Sequence, residues 1–170
     1  MAMCSVDLVQ HPSCAAAVVD RVNVVVDSGP GRILLTYTIE GDIQGLVIPS
    51  PRPAGRADEL WRTTCVELFV RRPEGGYREF NVSPSGLWAS YDFSGYREGM
   101  VNADTPSPEV AVRQTDRLLI VEVGIRTLQG KAALSAVIKA TDGTRTYWAL
   151  AHPSDKPDFH HPDSFVLDLP

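Results

Sequence analysis

Cysteine is scarce: Cys4, Cys14 and Cys65 are the only three among 170 residues, and none belongs to a CxxC pair. An odd, unclustered set offers neither a disulfide framework nor a cysteine-based zinc site, and it suits a reducing compartment. A run of about 20 apolar residues, the length of a membrane span, is also missing. Asp7, Gln10 and His11 interrupt the N-terminal stretch where a secretory leader would need an apolar segment behind basic residues. These absences lead us to expect a cytoplasmic protein with no membrane partner. Basic clustering stops at Arg71-Arg72 in a chain of formal net charge −5, which speaks against nucleic acid, whose binding rests on many phosphate contacts. Catalytic signatures are equally thin, since GxSxG, HExxH, the P-loop and the glycine-rich dinucleotide fingerprint are all absent.

What is present is a strand pattern. At 170 residues the chain fits one domain over residues 1–170, because single domains run to about 100–200 residues. With 44% hydrophobic and 22% charged residues it is too apolar to be disordered. Alternating apolar runs rich in β-branched residues recur between the turn-formers "DSGPGR", "IPSPRPAG", "RPEGG" and "TDGT". Strands are predicted over 18–26, 32–40, 45–48, 64–72, 77–83, 87–93, 109–115, 118–125, 134–140, 146–151 and 165–169. Segments 14–19 and 128–133 are the best helix candidates, and both run straight into strand-like sequence. With no long helix between strands, the expected fold is all-β, a single-domain antiparallel β-sandwich of immunoglobulin-like type. The segment 49–58, rich in proline, arginine and glycine, reads as a rim loop leading to Trp61.

In "TTCVELFVRR", Val66, Leu68 and Val70 share one side and Cys65, Glu67 and Phe69 the other, because strand side chains alternate. In "YREFNVS", Phe80 and Val82 join the first side, leaving Tyr77, Glu79 and Asn81 on the second. If "RPEGG" closes a hairpin, matching the apolar faces sets Leu68 by Phe80, Glu67 by Asn81 and Phe69 by Glu79, since a slip of one residue would invert every side chain. Two carboxylates and an amide then converge on an outward face flanked by Trp61 and Trp88. Donors and acceptors fix hydroxyl groups while flat rings cover the apolar face of a sugar. The competing reading is a solvated sheet face with no ligand.

The strings "RADELWRTTCVELFVRR", "EFNVSPSGLWASYDFSGYR" and "WALAHPSDKPDFHHPDSF" together resemble, over nearly the whole chain, the bacterial MurB-like branch of the DOMON-like domains, which is similar to type 9 carbohydrate-binding modules. The matching residues include Leu60-Trp61, Thr64-Cys65, Glu67, Phe80-Asn81, the Ser83–Gly86 turn, Trp88 and the Lys156–His160 segment. The resemblance implies a jelly-roll β-sandwich holding a sugar or haem in a pocket. The MurB label does not extend to activity, because a flavin-dependent reductase needs a far larger chain.

Haem would need axial ligands such as Met100 with His152 or His160. "HPSDKPDFHHPDSF" gathers three of the four histidines, so His152, Asp158 and His160 form a candidate metal set without a strong zinc spacing. An enzymatic alternative pairs Glu67 and Glu79 as acid and base on a glycoside. The leading expectation is a non-catalytic module for a carbohydrate or other polar small molecule, needing no cofactor. Its expected site comprises Trp61, Glu67, Glu79, Asn81, Trp88 and Tyr91, with Lys156 and His160 at the rim.

Overall fold

Strict alternation of buried and exposed residues builds the first half of the fold. In the computed structural model, which describes residues 2–16 and 18–169, thirteen strands form: β1 (Ala2–Gln10), β2 (Val19–Gly29), β3 (Arg32–Gly41), β4 (Gly55–Arg56), β5 (Cys65–Arg71), β6 (Tyr77–Val82), β7 (Leu87–Phe93), β8 (Val101–Asn102), β9 (Glu109–Gln114), β10 (Leu118–Arg126), β11 (Gly130–Lys139), β12 (Arg145–Ala149) and β13 (Leu167–Leu169). Helical structure among the described residues is limited to the 3-10 turns Ile43–Gly45, Leu60–Arg62 and Pro162–Ser164. The protein is therefore nearly all-β, and its strands are antiparallel apart from the short β4–β7 pair.

The strands follow one continuous path, β4-β7-β6-β5-β11-β12-β1-β2-β3-β10-β9, with β8 beside β7 and β13 beside β11. The curl occurs at β1. Its first seven residues pair with β2, from Ala2 opposite Ser28 to Leu8 opposite Val22, whereas Val9 and Gln10 pair with Ala149 and Trp148 of β12. The sheet thus has two wings. Val22, Val24, Ile33, Leu35, Ile39, Leu119 and Val121 of one wing pack in the same core as Val66, Leu68, Val70, Phe80, Val82 and Leu134 of the other. Each such side chain contributes about 1.5–3 kcal/mol by leaving water. The Tyr37 hydroxyl crosses this core to donate to the Glu67 carbonyl at 2.7 Å.

Three expectations are corrected. Segment 45–48 is not a strand: the chain makes the Ile43–Gly45 turn and only Leu46 bridges, to Ala140. Segment 128–133 runs into β11 rather than forming a helix, because Gly130 to Ala132 pair with β13 and Ala132 onward also with β5. The described residues of 14–19 hold no helix either, and the N-terminal β1 was not foreseen.

The second wing differs from the first in being covered on both sides. Burial runs unbroken from Cys65 to Val70 in β5, where β2 and β3 alternate. Its outer face carries a second apolar cluster of Cys65, Phe69, Tyr77, Tyr91 and Phe93, capped by Leu60 and Phe165 from distant loops. What those loops leave uncovered becomes the site.

Candidate functional site

Strand parity places the polar residues of β5 and β6 on that outer face. Glu67 lies opposite Asn81, Leu68 opposite Phe80 and Phe69 opposite Glu79, the register that the matched apolar faces require. On the flanks, Asn81 faces Ala89 and Glu79 faces Tyr91 of β7, while Glu67 faces Ser135 of β11. The residues lie on the expected face of the sheet, but that face is not the solvated surface of the competing reading. Glu67, Glu79 and Asn81 are only 4%, 6% and 2% exposed, because the loops around 58–61, 97–102 and 156–160 rise around them. They form the floor of an open cleft of about 1260 Å³. Ligand sites usually measure ~300–1,000 Å³, so this cleft has room for more than one sugar ring.

Trp88 is not part of it. Trp88 pairs with Val82, so its indole lies on the inner side, 5% exposed within the main core. There the Arg56 guanidinium stacks on the ring at 4.4 Å. The cleft's aromatic walls are instead Trp61, 42% exposed, with Tyr91, Phe93, Tyr147 and Phe159. Trp61 is held on the Leu60–Arg62 turn, with Arg62 at 5.5 Å from its ring. Tyr91 donates its hydroxyl to Asp58.

Burial dominates the electrostatics of the floor. It pushes the Glu67 carboxyl well above the usual range, the charge of Glu79 pushes it further, and a 3.4 Å hydrogen bond from the Ser135 hydroxyl opposes both. Burial likewise raises Glu79, to about 7, against the pull of a hydrogen bond from Asn81 and the charge of Arg97. The other end of the Asn81 amide is unsatisfied: Oδ1 is buried without a hydrogen-bond partner among the described residues. A buried acceptor left unpaired costs about 1–3 kcal/mol, so it marks where a donor from outside fits.

His160 closes one side. Its ring lies edge-on to Phe69, at 5.0 Å, and to Phe93, at 5.2 Å. Burial, then the Arg97 charge, lower it to about 4, so it is neutral at physiological pH. Its Nδ1 is 2.7 Å from the Tyr77 hydroxyl, which accepts the Arg97 N–H at 3.2 Å. With the hydroxyl proton assigned to Nδ1, Nε2–H faces Glu79 Oε2 across 3.9 Å, too far for a hydrogen bond. Asp158 ties the rim together, accepting from the Arg97 guanidinium at 2.7 Å, the Tyr96 hydroxyl and the His160 N–H at 3.1 Å. Burial raises its carboxyl, but these donors outweigh it and leave Asp158 below its ordinary value. Lys156 is exposed at the rim, with no ion pair among the described residues.

Two non-glycine residues among those described have left-handed backbones, Glu59 (φ 59°) and Arg97 (φ 56°), and both line this cleft. Such strain persists where surrounding structure enforces it, commonly at sites of function. Sequence reasoning missed Asp58, Glu59, Arg97, Asn102 and Tyr147 of the cleft, which lie in loops or distant strands with no shared local pattern.

The proposed histidine set does not assemble. His152 bonds the Val9 carbonyl through Nε2 at 2.6 Å and packs against His11. No group of three metal-capable side chains converges among the described residues. Met100 sits at the rim, 59% exposed, on the same cleft as His160. A smaller recess of about 410 Å³ beside β10 is lined by Arg32 and Arg78, whose charges are taken by Glu109 at 2.8 Å and Asp92 at 2.7 Å. No described helix is long and apolar enough to cross a membrane.

No family model and no curated protein matches the chain. The chain is similar in structure to a solved protein of Bacteroides uniformis described as a "putative carbohydrate-binding protein". The TM-score is 0.64 with 14% identity, covering 85% of this chain and 76% of that one. At that identity the likeness is one of fold.

Proposed function

We propose that the protein is a non-catalytic binding module for a carbohydrate or a similar polar small molecule, with the cleft over β5, β6 and β7 as its site. The observation that carries this reading is the buried Oδ1 of Asn81, unpaired among the described residues, in a cleft lined also by two buried carboxyl groups and an exposed indole. A protein does not leave such acceptors dry unless a ligand or ordered water completes them. Trp61 is the ring platform in this reading, Glu67, Glu79 and Asn81 are the polar floor, and Tyr91, Lys156 and His160 are the walls. We read the two facing wings as the layers of one jelly-roll sandwich domain of the DOMON-like kind. The fold likeness to a protein described as carbohydrate-binding supports the carbohydrate reading of the cleft. The three free cysteines, one of them exposed, support a reducing, cytoplasmic setting.

The test is a thermal-shift screen against mono- and oligosaccharides, since a ligand that binds only the native state stabilises it, by about 2.7 kcal/mol at 100 times Kd. A positive shift is expected, reduced in Trp61→Ala and Glu67→Gln variants that still melt cooperatively. A shift left undiminished by both substitutions places the ligand elsewhere. The carboxyl pair also favours a second reading, a glycoside hydrolase with Glu67 and Glu79 as acid and base. Turnover of aryl glycosides that disappears in Glu67→Gln would establish it.

A further inference from the structure

The floor of the cleft is built almost entirely of acceptors. Glu67 and Glu79 present carboxyl oxygens and Asn81 presents its unpaired Oδ1. The donors that reach them are neutral and few: the Ser135 hydroxyl at 3.4 Å on Glu67 and the Asn81 amide on Glu79. Among the described residues no cation touches either carboxyl. The Arg97 guanidinium is committed to Asp158 at 2.7 Å, and the neutral His160 Nε2 stops 3.9 Å from Glu79. Elsewhere on the walls Asp58 accepts from Tyr91, and Glu59 pairs with Arg62 at 2.7 Å, while Lys156 at the rim has no ion pair among the described residues. Two carboxyl groups share a buried site, then, and the nearest full positive charge, Arg97, acts on Glu79 only from a distance while its ion pair goes to Asp158.

A neutral hydroxyl can donate to one of these oxygens, but it does not offset charge. An ammonium group brings up to three donors and the missing positive charge, and hydrogen bonds between charged partners are about twice as strong as neutral ones. Resting on the carbohydrate reading of the same cleft, we propose that its ligand is an amino sugar whose free, protonated amine sits on the Glu67, Glu79 and Asn81 floor while its ring lies against Trp61. The amine bonds Asn81 Oδ1 and the carboxylates. By relieving the repulsion between Glu67 and Glu79, it lets both ionise, so that binding near neutral pH expels a proton from the pair. Tyr37, buried behind the floor, and Cys65, buried on the same face of β5 as Glu67, are both pushed above their ordinary values and stay neutral through this change. Tyr77 and Tyr91, also raised, do the same.

Isothermal titration at pH 7 in two buffers of different ionisation enthalpy reads both affinity and proton release. The probes are the glucosamine trimer, its fully N-acetylated counterpart and cellotriose, with cadaverine as an amine lacking sugar. The expected result is a glucosamine trimer bound at least tenfold more tightly than the other two, with net proton release. Glu79→Gln should erase that preference while still binding the neutral trimers. Glu67→Gln is run beside it, so that one misfolded variant does not decide the outcome. Neutral trimers bound as tightly as the amino trimer, without proton release, would overturn the amine assignment and leave the carbohydrate reading standing. Cadaverine binding with no trimer bound would remove the carbohydrate reading and keep the amine on the floor. Failure of all four probes would overturn both.

Discussion

Burial moves Glu79 and His160 in opposite directions, so their contributions to stability run against each other in acid. Glu79 is raised from 4.5 to about 7: its contribution is complete below 4.5 and is lost as pH climbs through 7. His160 is lowered from 6.5 to about 4: its contribution is complete above 6.5 and is lost as pH falls through 4. Urea unfolding from pH 4 to 8 should therefore show the stability of Glu79→Gln, relative to wild type, rising between 4.5 and 7. For His160→Gln the same difference should rise as pH falls from 6.5 to 4. Parallel curves would mean that neither side chain is perturbed as its surroundings require. Tyr77→Phe leaves the Arg97 N–H and His160 Nδ1 without their shared partner, and should cost about 1–2 kcal/mol. At this scale, parity was legible in the sequence and was misapplied once. Trp88 and Tyr91 are three positions apart, so one strand cannot aim both into the same cleft. Ala89, not Trp88, is the neighbour of Asn81.

At the scale of elements, the β5–β6 hairpin carries all three residues of the floor, and its turn depends on glycine. Gly76 has φ +70° and an added Cβ would overlap the Phe93 carbonyl oxygen, whereas Gly75, at φ +100°, has open space around it. Gly75→Ala should cost about 1–2 kcal/mol from backbone strain alone. Gly76→Ala should cost clearly more, measured by the urea midpoint, because β7 must shift as well. The hairpin was readable because two apolar faces of period two admit one register. The start of β11 was not: "LQGKAAL" lacks β-branched residues, and its alanines are strand residues because pairing with β5 and β13 buries Ala132 in the main core and Ala133 in the outer cluster. Neither was β1, where Asp7 and Gln10 interrupt the apolar pattern and pairing with two different strands supplies the order.

The whole molecule is a curled sheet whose two wings share a core, and the contact from Tyr37 to the Glu67 carbonyl links the inner core to the strand that carries the site. Tyr37→Phe should lower stability by about 1 kcal/mol, the ordinary worth of one buried hydrogen bond, and leave the cleft's affinity unchanged. Affinity falling with stability would instead show that the position of β5 depends on that contact. The sequence by itself determined the all-β class, the hairpin register and the side of the sheet on which Glu67, Glu79 and Asn81 lie, because side-chain alternation is a local property of extended backbone. Only the tertiary structure decided that this side is buried, that Trp61 and not Trp88 overlooks it, and that Arg97 and His160 close it. Those outcomes depend on loops brought together from far apart in the chain, whose packing no local period encodes.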